Sequence, residues 1–381
     1  MKKRLLHEDR FVHLDMVRGC AALLVCVDHL RHADFVDYWS LDPKPGALDK
    51  LFYLLTTQGH NAVMIFFVLS GFFIAGSVVT EHGNKTWSWA RFAVRRLSRL
   101  YVVLVPALVL TLLWDYGTQR LAPGAHVGDH GLGALGANLL FVQSIFGPVY
   151  GSNFPLWSIA YEFWYYVMFP LLFTALLSRG WKAGRFVCLL LFVGCMVLLP
   201  SIVLMGGVIW LIGYGAFVLS HHPAWSRVGS HIAVFGIGAT GLLISVYRGL
   251  SSHGLLPGGD GVFITFHDCL TAFFFSLTIP WLVKNQPKAG WYRAGAVGLS
   301  DISYTLYAVH IPVVMFLFGA LFRGREAVPS LEGYGFFAAC LGGILLYATG
   351  VWWLFESRTA TVRRFFERML LPAKAKRADQ E

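Results

Sequence analysis

The stretch AVMIFFVLSGFFIAGS, residues 62–77, is uncharged throughout and sets the fold class. Over the whole chain of 381 residues, 56% are hydrophobic and 14% are charged, whereas soluble domains carry about 25% charged residues. The apolar surplus must therefore face lipid. The 40 glycines and 13 tryptophans fit this solvent, because glycine permits close helix packing and tryptophan favours the membrane interface. We predict an all-α, polytopic integral membrane bundle.

Ten segments are long and apolar enough to cross a bilayer core of about 30 Å, which needs about twenty apolar residues per helix. The predicted spans lie near 13–31, 60–80, 98–116, 156–178, 186–201, 203–220, 231–247, 262–283, 298–321 and 334–356. Pro200 separates the fifth from the sixth, since proline breaks a helix. A further apolar segment, 132–147, is short and glycine-rich, and we interpret it as an interfacial or re-entrant piece.

The distribution of basic residues predicts the orientation. With ten spans and a cytoplasmic N-terminus, every basic loop falls on the cytoplasmic side, as the positive-inside rule requires. These loops are Arg91/Arg95/Arg96/Arg99, Arg179/Lys182/Arg185, Lys284/Lys288/Arg293 and the tail from Arg358 through Arg377. The external loops are then 32–59, 117–155, 248–261 and 322–333. We expect a single membrane-embedded domain over 1–381, with a short basic cytoplasmic tail from about 357 and both termini cytoplasmic.

Composition also argues against several classes of partner. The net charge of +10 does not indicate nucleic-acid binding, because the basic residues lie between apolar segments and orient helices. All six cysteines fall inside apolar stretches without CxxC spacing, which argues against a disulfide framework and a zinc site. The MKKR start resembles a signal peptide, but Asp15 and Arg18 interrupt the following apolar run. We therefore expect a retained first helix.

The first predicted helix carries three ionisable residues, Asp15, Arg18 and His29. At 100° per residue they fall within about 60° of one another on the helix. Charged residues within a span are costly, so each is a functional hypothesis. The alternative is structural: Asp15 and Arg18 pair near a helix end, and His29 bonds a backbone carbonyl.

Four arginines, Arg91, Arg95, Arg96 and Arg99, lie at the predicted cytoplasmic entry of the third span. Their spacings of three and four place several guanidinium groups on one helix face. Planar guanidinium groups suit phosphate oxygens, such as those of coenzyme A. Ordinary topology anchoring explains them equally well, and the sequence leaves both open.

Two further spans carry isolated polar residues. Glu162 lies about two turns into the fourth span, where a carboxylate needs a partner. It could orient His29 and raise the basicity of its imidazole, or pair with another basic group. Ser70 lies among small residues of the second span, where a ligand could approach the backbone, although helix packing is the commoner explanation.

The ninth span carries a polar face. Ser303, Tyr304, Tyr307 and His310 occur in the stretch SDISYTLYAVHIPVV, residues 300–314. Ser303, Tyr307 and His310 follow helical spacing. This face is consistent with a ligand channel or with interhelical hydrogen bonds.

The order of these motifs is more specific than any one of them. The chain has L-D-x-x-R-G-x-A-A-L with His29 following, then F-F-V-L-S-G-F, then R-R-x-x-R, then W-S-x-x-x-E, then S-Y-x-x-Y-x-x-H-x-P. This order, over residues 11–356, resembles the membrane-bound acyltransferase 3 family. The resemblance implies a bundle of about ten helices that acylates, most often acetylates, sugar hydroxyls. Its acceptors would be surface polysaccharides, lipid-linked glycans or glycosylated macrolides.

The resemblance also implies residue roles. Arg18 and His29 match the family's arginine and histidine pair, Arg96 and Arg99 match its R-x-x-R element, and Glu162 matches its W-S-x-x-x-E carboxylate. We expect an acyl-coenzyme A donor, acetyl-coenzyme A foremost, a carbohydrate acceptor, a bacterial plasma (inner) membrane location with lipid as partner, and no metal. The expected residues are, for catalysis, His29, Glu162, Arg18 and Asp15; for donor binding, Arg95, Arg96 and Arg99; and for substrate binding, Ser70, Tyr304, Tyr307 and His310. His29 could act as general base or as transient acyl carrier.

Other functions are weighed against this one. A glycolipid or small-molecule transporter or flippase would also need charges within helices, but no inverted repeat or pair of broken helices is evident. His29 and Asp34 fit the H-x-x-x-x-D spacing of glycerolipid acyltransferases, which is short and frequent by chance. His29, His32 and Asp34 could begin a metal site, but no further ligand is evident.

Overall fold

The computed structural model describes residues 10–43, 45–177, 182–222, 230–252 and 261–371. The MKKR start, Arg179, most of the predicted loop 248–261 and the tail beyond 371 lie outside these ranges. The described helices, in chain order, are α1 Val12–Asp34, α2 Ala47–Thr56, α3 Gly59–Gly83, α4 Trp89–Leu121, α5 Leu132–Leu139, α6 Trp157–Leu177, α7 Lys182–Leu198, α8 Ser201–Ser220, α9 Ser230–Ser252, α10 Gly261–Lys284, α11 Gly290–Met315, α12 Leu331–Leu354 and α13 Thr359–Leu370. A π-helical segment, Phe316–Leu321, continues α11.

The prediction of an all-α membrane bundle is confirmed. The greater part of each of the ten predicted apolar segments lies in a helix of its own, and α7 ends at Leu198, just before Pro200. In the described part of the chain, 7 segments are long and apolar enough to cross a membrane: Ala47–Gly83, Trp89–Leu121, Phe154–Leu177, Ser201–Ser220, Phe266–Lys284, Gly290–Leu321 and Leu331–Leu370. The number of crossings stays a prediction, because α1 carries several charges and α7 has only 17 residues.

Helix α7 shows which solvent the fold needs. It has no buried residue, and it exposes large apolar side chains, including Phe186, Leu190 and Val197. Soluble monomers rarely expose contiguous apolar surface on this scale. A helix that exposes apolar side chains all round is stable when lipid surrounds it.

The chain divides into two compact units. The first comprises Met1–Gly76, Ser201–Ser303 and Gly324–Leu341, and the second comprises Ser77–Pro200, Tyr304–Arg323 and Gly342–Glu381. In the first unit α10 packs against α1, α8 and α9. In the second unit α4 packs against α13 and the segment 316–321, and α6 packs against α7.

Glycine allows a close helix crossing in the first unit. A Cβ added at Gly71 of α3 would lie 1.9 Å from the carbonyl oxygen of Trp210, and one added at Gly213 of α8 would lie 2.0 Å from the carbonyl oxygen of Val68. Both distances are far inside van der Waals contact. Small residues here allow backbone-to-backbone packing, as in other membrane helix pairs.

The segment after α1 is held in place within the first unit. Phe35 stacks on Tyr334 with ring centroids 5.7 Å apart, and it meets Phe52 and Phe337 edge-on. The backbone N–H of Ala327 donates to the carbonyl of Asp34 at 2.6 Å. Most of the predicted external loop 32–59 is therefore ordered structure, including the helix α2.

The predicted external loop 117–155 is anchored to α4 in the second unit. Asp115 is fully buried and accepts hydrogen bonds from the backbone N–H of Ser152 at 2.8 Å and its hydroxyl at 2.6 Å. His130 lies 2.8 Å from the same carboxylate. Helix α5 within this loop has 8 residues, about 12 Å of rise, which is too short to cross a bilayer.

Candidate active site

A closed polar network fixes the N-terminal part of α1. The guanidinium of Arg18 donates to Asp15 Oδ1 at 2.9 Å and from Nε to the hydroxyl of Ser300 at 3.0 Å. The Ser300 hydroxyl donates to the same Asp15 oxygen at 2.9 Å. Arg10 adds a second cation 3.4 Å from Asp15 Oδ2. Asp15 and Arg18, predicted together from their spacing, do meet, and they bind α1 to α11.

Close packing supports this network. A Cβ added at Gly19 would lie 2.5 Å from the Cβ of Leu299, so glycine lets α1 approach α11. Arg10 also reaches Asp301 Oδ1 at 2.6 Å. The position of α1 is thereby fixed by both charge and shape.

His29 lies on the same continuous helix, eleven residues after Arg18. At 1.5 Å per residue the two are about 16 Å apart along the axis. His29 is half-buried and interacts electrostatically with Asp28 and His32. Asp28 packs against the start of α3, since a Cβ added at Gly59 would lie 2.6 Å from its carboxylate. His29 is thus presented from a helix that is fixed at both ends, and its catalytic role stays a prediction.

The H-x-x-x-x-D alternative does not suit this geometry. His29 and Asp34 are five residues apart on one helix, about 140° around its axis, so their side chains point in different directions. Asp34 is fully buried and lies 3.8 Å from the guanidinium of Arg325. Among the described residues, no group of three or more His, Cys, Asp or Glu is arranged to hold a metal ion.

The arginines of α4 differ in their partners. Arg95 forms an ion pair with Glu81, which also accepts from the hydroxyl of Ser77 at 3.0 Å. Glu81 offsets the positive charge of Arg95 and fixes one of its terminal nitrogens, which weakens the attraction of this guanidinium for a substrate phosphate. Arg95, predicted to bind the donor, therefore has a structural partner within the second unit.

Arg96 and Arg99 lie among aromatic rings. The Arg96 guanidinium lies 5.4 Å from the ring of Phe92 and 6.0 Å from that of Tyr166. Its buried Nε has no hydrogen-bond partner in the described ranges. The Arg99 guanidinium lies 5.9 Å from the ring of Tyr304. Cation–π contact orients both groups without using their N–H donors.

Arg99 is the arginine best suited to bind a ligand. Its side chain is exposed, and within the described ranges no protein acceptor hydrogen-bonds to it. It interacts electrostatically with Glu162 and Glu356. The adjacent Tyr304 hydroxyl is buried and has no hydrogen-bond partner among the residues that the structure describes. Buried hydroxyls are almost always bonded, so an unpartnered one calls for an explanation such as a ligand.

Glu162 lies in this same part of the second unit. Its carboxylate accepts a hydrogen bond from Tyr166 at 2.5 Å, and its charge acts on Arg99. The structure therefore gives Glu162 a phenolic partner and a neighbouring cation. Its predicted role in orienting His29 stays a prediction.

The other predicted substrate-binding residues have partners in the protein. The Ser70 hydroxyl accepts from the Trp210 indole at 3.1 Å, close to the Gly71 crossing. The Tyr307 hydroxyl lies 2.6 Å from that of Ser158 and 3.1 Å from the Pro155 carbonyl. His310 Nδ1 lies 2.9 Å from the Leu306 carbonyl. These contacts favour packing for Ser70 and interhelical bonding for Tyr307, whereas Tyr304 differs from them.

Sequence reasoning missed Glu356 and Ser300. Glu356 accepts from the hydroxyl of Thr305 at 2.5 Å and from its backbone N–H at 3.2 Å, and it acts on Arg99. An acidic residue at the end of an apolar run was a usable signal, since such residues seldom lack a partner. Ser300 gave no signal, because a serine within a helix is common.

Comparison with known proteins supplies the family. A family model described as an acyltransferase domain matches residues 11–358, nearly the whole chain. The chain belongs to this family, acyltransferase 3. The resemblance stated from the motif order is thereby confirmed, and the chain is a multi-pass membrane protein.

Two curated proteins are similar to this family member over part of its length. "Acyltransferase MdmB" of Streptomyces mycarofaciens is 32% identical over 165 residues, which cover 42% of this chain and 39% of that protein. An uncharacterized protein of Haemophilus influenzae is 29% identical over 118 residues, 28% of this chain and 46% of that protein. The matches thus span less than half of each relative. No solved structure matches the chain significantly.

Proposed function

We propose that this protein is a membrane O-acyltransferase that moves an acyl group, acetyl foremost, from acyl-coenzyme A to a carbohydrate hydroxyl. The observation that carries the proposal is the Arg99 site, where, within the described part of the chain, an exposed guanidinium has no protein hydrogen-bond acceptor and the hydroxyl of the neighbouring Tyr304 has no partner. Membership of the acyltransferase 3 family supports acyl transfer as the reaction.

The phosphate groups of the proposed donor match the hydrogen-bond donors of the Arg99 site. Coenzyme A carries several phosphate groups, and guanidinium groups bind phosphate through paired, charge-assisted hydrogen bonds. Arg99 offers its donors, Arg96 adds a second positive charge, and Tyr304 adds a neutral hydroxyl. In the proposed orientation, with both termini cytoplasmic in a bacterial plasma membrane, the entry of α4 faces the compartment that contains coenzyme A thioesters.

His29 is the proposed base. The acceptor hydroxyl attacks the thioester carbonyl and transfers its proton to the imidazole; the new C–O bond forms and the C–S bond breaks. The leaving thiolate then takes the proton from the imidazolium. Alternatively, the imidazole itself accepts the acyl group and passes it to the hydroxyl. In both cases Asp15 and Arg18 fix the helix that carries His29.

The direct test measures thioester consumption and acyl transfer by the purified protein in nanodiscs. We expect release of free coenzyme A thiol, and a loss of about 10² to 10⁴ in rate for His29→Ala, the usual contribution of a general base. His29→Gln should be equally inactive, although it keeps hydrogen-bonding ability. Glu162→Gln should lower the rate more mildly if Glu162 only orients the imidazole.

The matched control is His13→Gln on the same helix. His13 lies 2.9 Å from the hydroxyl of Tyr292, and its replacement should leave turnover near normal. Near-normal turnover by His29→Gln would remove His29 from the mechanism. A wild-type protein that releases no thiol from acetyl-coenzyme A would instead favour the transporter function.

A single-turnover experiment separates the two mechanisms. With labelled acetyl-coenzyme A and no acceptor, an acyl carrier accumulates label on His29, detectable in peptides after rapid quenching. Direct transfer leaves the enzyme unlabelled while thiol release waits for the acceptor.

A further inference from the structure

A cleft of about 550 Å³ opens in the first unit, beside the C-terminal end of α1. Its lining comes from the C-terminal end of α1, the segment that follows α1, the helix α2 and the helix α9. This volume is within the range of small-molecule sites, which is about 300–1,000 Å³. None of the sequence motifs pointed to it.

One wall of the cleft is polar and preorganised. Arg31 is 2% exposed, and its guanidinium lies 3.7 Å from Asp28 and 5.6 Å from the centre of the Tyr53 ring. His32 Nδ1 lies 2.8 Å from the Asp28 carbonyl, and its Nε2 lies 2.8 Å from Arg31. The simplest assignment is that Nδ1 donates to the carbonyl and Nε2 accepts from Arg31. Lys50 adds a further donor to the lining.

The same wall carries aromatic rings. Tyr38 meets Trp39 edge-on with centroids 5.0 Å apart, and it meets Tyr53 at 5.5 Å. The Tyr53 hydroxyl donates to the Val36 carbonyl at 2.7 Å, which fixes the ring. Trp39 is 38% exposed. Rigid aromatic faces beside hydrogen-bonding groups suit a sugar ring, whose C–H faces are apolar and whose rim is hydroxylated.

The part of the lining that α9 contributes is aliphatic. Leu242, Val246 and Leu250 recur every four residues along α9, and all three are exposed and line the cleft. The i, i+4, i+8 spacing places them in one row on the helix. A free sugar has no apolar group that could cover this aliphatic row. A sugar that is joined to an apolar group can cover it.

We propose that this cleft binds the acceptor, as an amphiphilic glycoside whose sugar lies against Trp39 and Tyr38 and whose apolar part lies against α9. The inference rests on the proposed acyltransferase function and names the position and class of its acceptor. His32 lines the cleft and follows His29 by three residues on α1, so a sugar bound at His32 would be within one helical turn of the proposed base. The lining residues 31–57 belong mainly to the predicted external loop, where a surface glycan would be met.

Binding is measured with phenyl β-D-glucopyranoside as the probe, on the full chain in nanodiscs, by saturation-transfer NMR and calorimetry. We expect the phenyl glucoside to bind at least about tenfold more tightly than glucose, because glucose leaves the α9 row uncovered. Cyclohexanol, an apolar probe without a sugar, should also bind more weakly. Equal binding of cyclohexanol would overturn the proposal and make the cleft a site for lipid.

Two variants locate the probe. Trp39→Ala should weaken binding about tenfold through loss of the aromatic face. Val246→Asp should also weaken binding, because it places a charge in the aliphatic row that contacts the apolar part of the probe. Trp291→Ala is the matched control, since Trp291 is highly exposed and does not line the cleft. Unchanged affinity in both cleft variants, with correctly inserted protein, would place the acceptor elsewhere.

Turnover distinguishes this inference from the function on which it rests. If the wild type consumes acetyl-coenzyme A and acylates the phenyl glucoside, Trp39→Ala should raise the KM for the glucoside more than it lowers kcat. An active enzyme with an unchanged acceptor KM in Trp39→Ala overturns the cleft alone. A wild type that consumes no thioester overturns the proposed function, while the binding measurements still decide whether the cleft takes a glycoside.

Discussion

The two units each contain a motif arginine, and the two arginines differ in their hydrogen-bond partners. In the first unit, Arg18 is held by Asp15 and Ser300, and these groups also bond to each other. In the second unit, Arg99 is oriented by the ring of Tyr304 and bonded to no protein acceptor in the described part of the chain. Mutual hydrogen bonds among Asp15, Arg18 and Ser300 fix the helix that carries them. A guanidinium that is held only by a ring contact keeps its hydrogen-bond donors for a ligand. Both arginines lie in the motifs that carry the family resemblance, and the structure distinguishes them by their partners in the protein.

The largest expected effect comes from breaking the closed network with Asp15→Ala. Removing one partner of a buried ion pair costs about 3–5 kcal/mol, and we expect at least about 2 kcal/mol here, because Arg18 is 20% exposed and solvent screens the pair. The measurement is the unfolding midpoint of detergent-purified protein.

The control for Asp15→Ala is Asp301→Ala, which removes a carboxylate that is 33% exposed and pairs with Arg10. Its cost should be about 0–1 kcal/mol, as for exposed ion pairs. Equal losses in the two variants would mean that the network around Asp15 is no stronger than an ordinary surface pair.

We expect an effect of intermediate size when Arg99 and Arg95, which lie on the same helix α4, are each replaced by alanine. Arg99→Ala should raise the KM for acetyl-coenzyme A by about tenfold to a hundredfold, since hydrogen bonds to charged groups contribute about 1.5–3 kcal/mol. Arg99→Lys should restore part of the affinity, because an ammonium keeps the charge and loses the planar pair of donors. Arg95→Ala should chiefly lower the unfolding midpoint, by leaving Glu81 without its cation.

The readouts for these variants are the donor KM and the unfolding midpoint at matched membrane levels. If Arg95→Ala and Arg99→Ala raise the KM equally, both residues act as one basic patch. If neither raises it, the arginines of α4 only anchor the helix.

Much of the fold could be predicted because the membrane simplifies the problem. The length of an apolar run decides where a helix lies, and the greater part of each predicted segment lies in one helix. The site was harder, because spacing along one helix says nothing about contacts with residues far away in sequence. Asp15 and Arg18, three residues apart, pair as the structural alternative for these residues required. Ser300 lies 285 residues from Asp15, and no local pattern could have found it.

The arginines of α4 show the same limit. R-R-x-x-R spacing put Arg95, Arg96 and Arg99 in one set, because sequence gives the face of a helix but not what covers it. Glu81 forms an ion pair with Arg95 and not with Arg99. Which arginine it reaches depends on how α3 packs against α4. The cleft beside α2 was missed for a related reason, since its walls come from three separate segments.

The smallest effect comes from two tyrosines on one helix, Tyr304 and Tyr307. Tyr307→Phe removes a hydroxyl that is bonded to Ser158 and the Pro155 carbonyl, and it should lower stability by about 1 kcal/mol. Tyr304→Phe removes a buried hydroxyl without a protein partner, so stability should stay the same or rise. Its donor KM should increase about threefold, a modest loss that fits one neutral hydrogen bond to a bound ligand. A fall in the unfolding midpoint of Tyr304→Phe equal to that of Tyr307→Phe, with an unchanged KM, would show that the hydroxyl serves the fold and that the site around Arg99 does not include it.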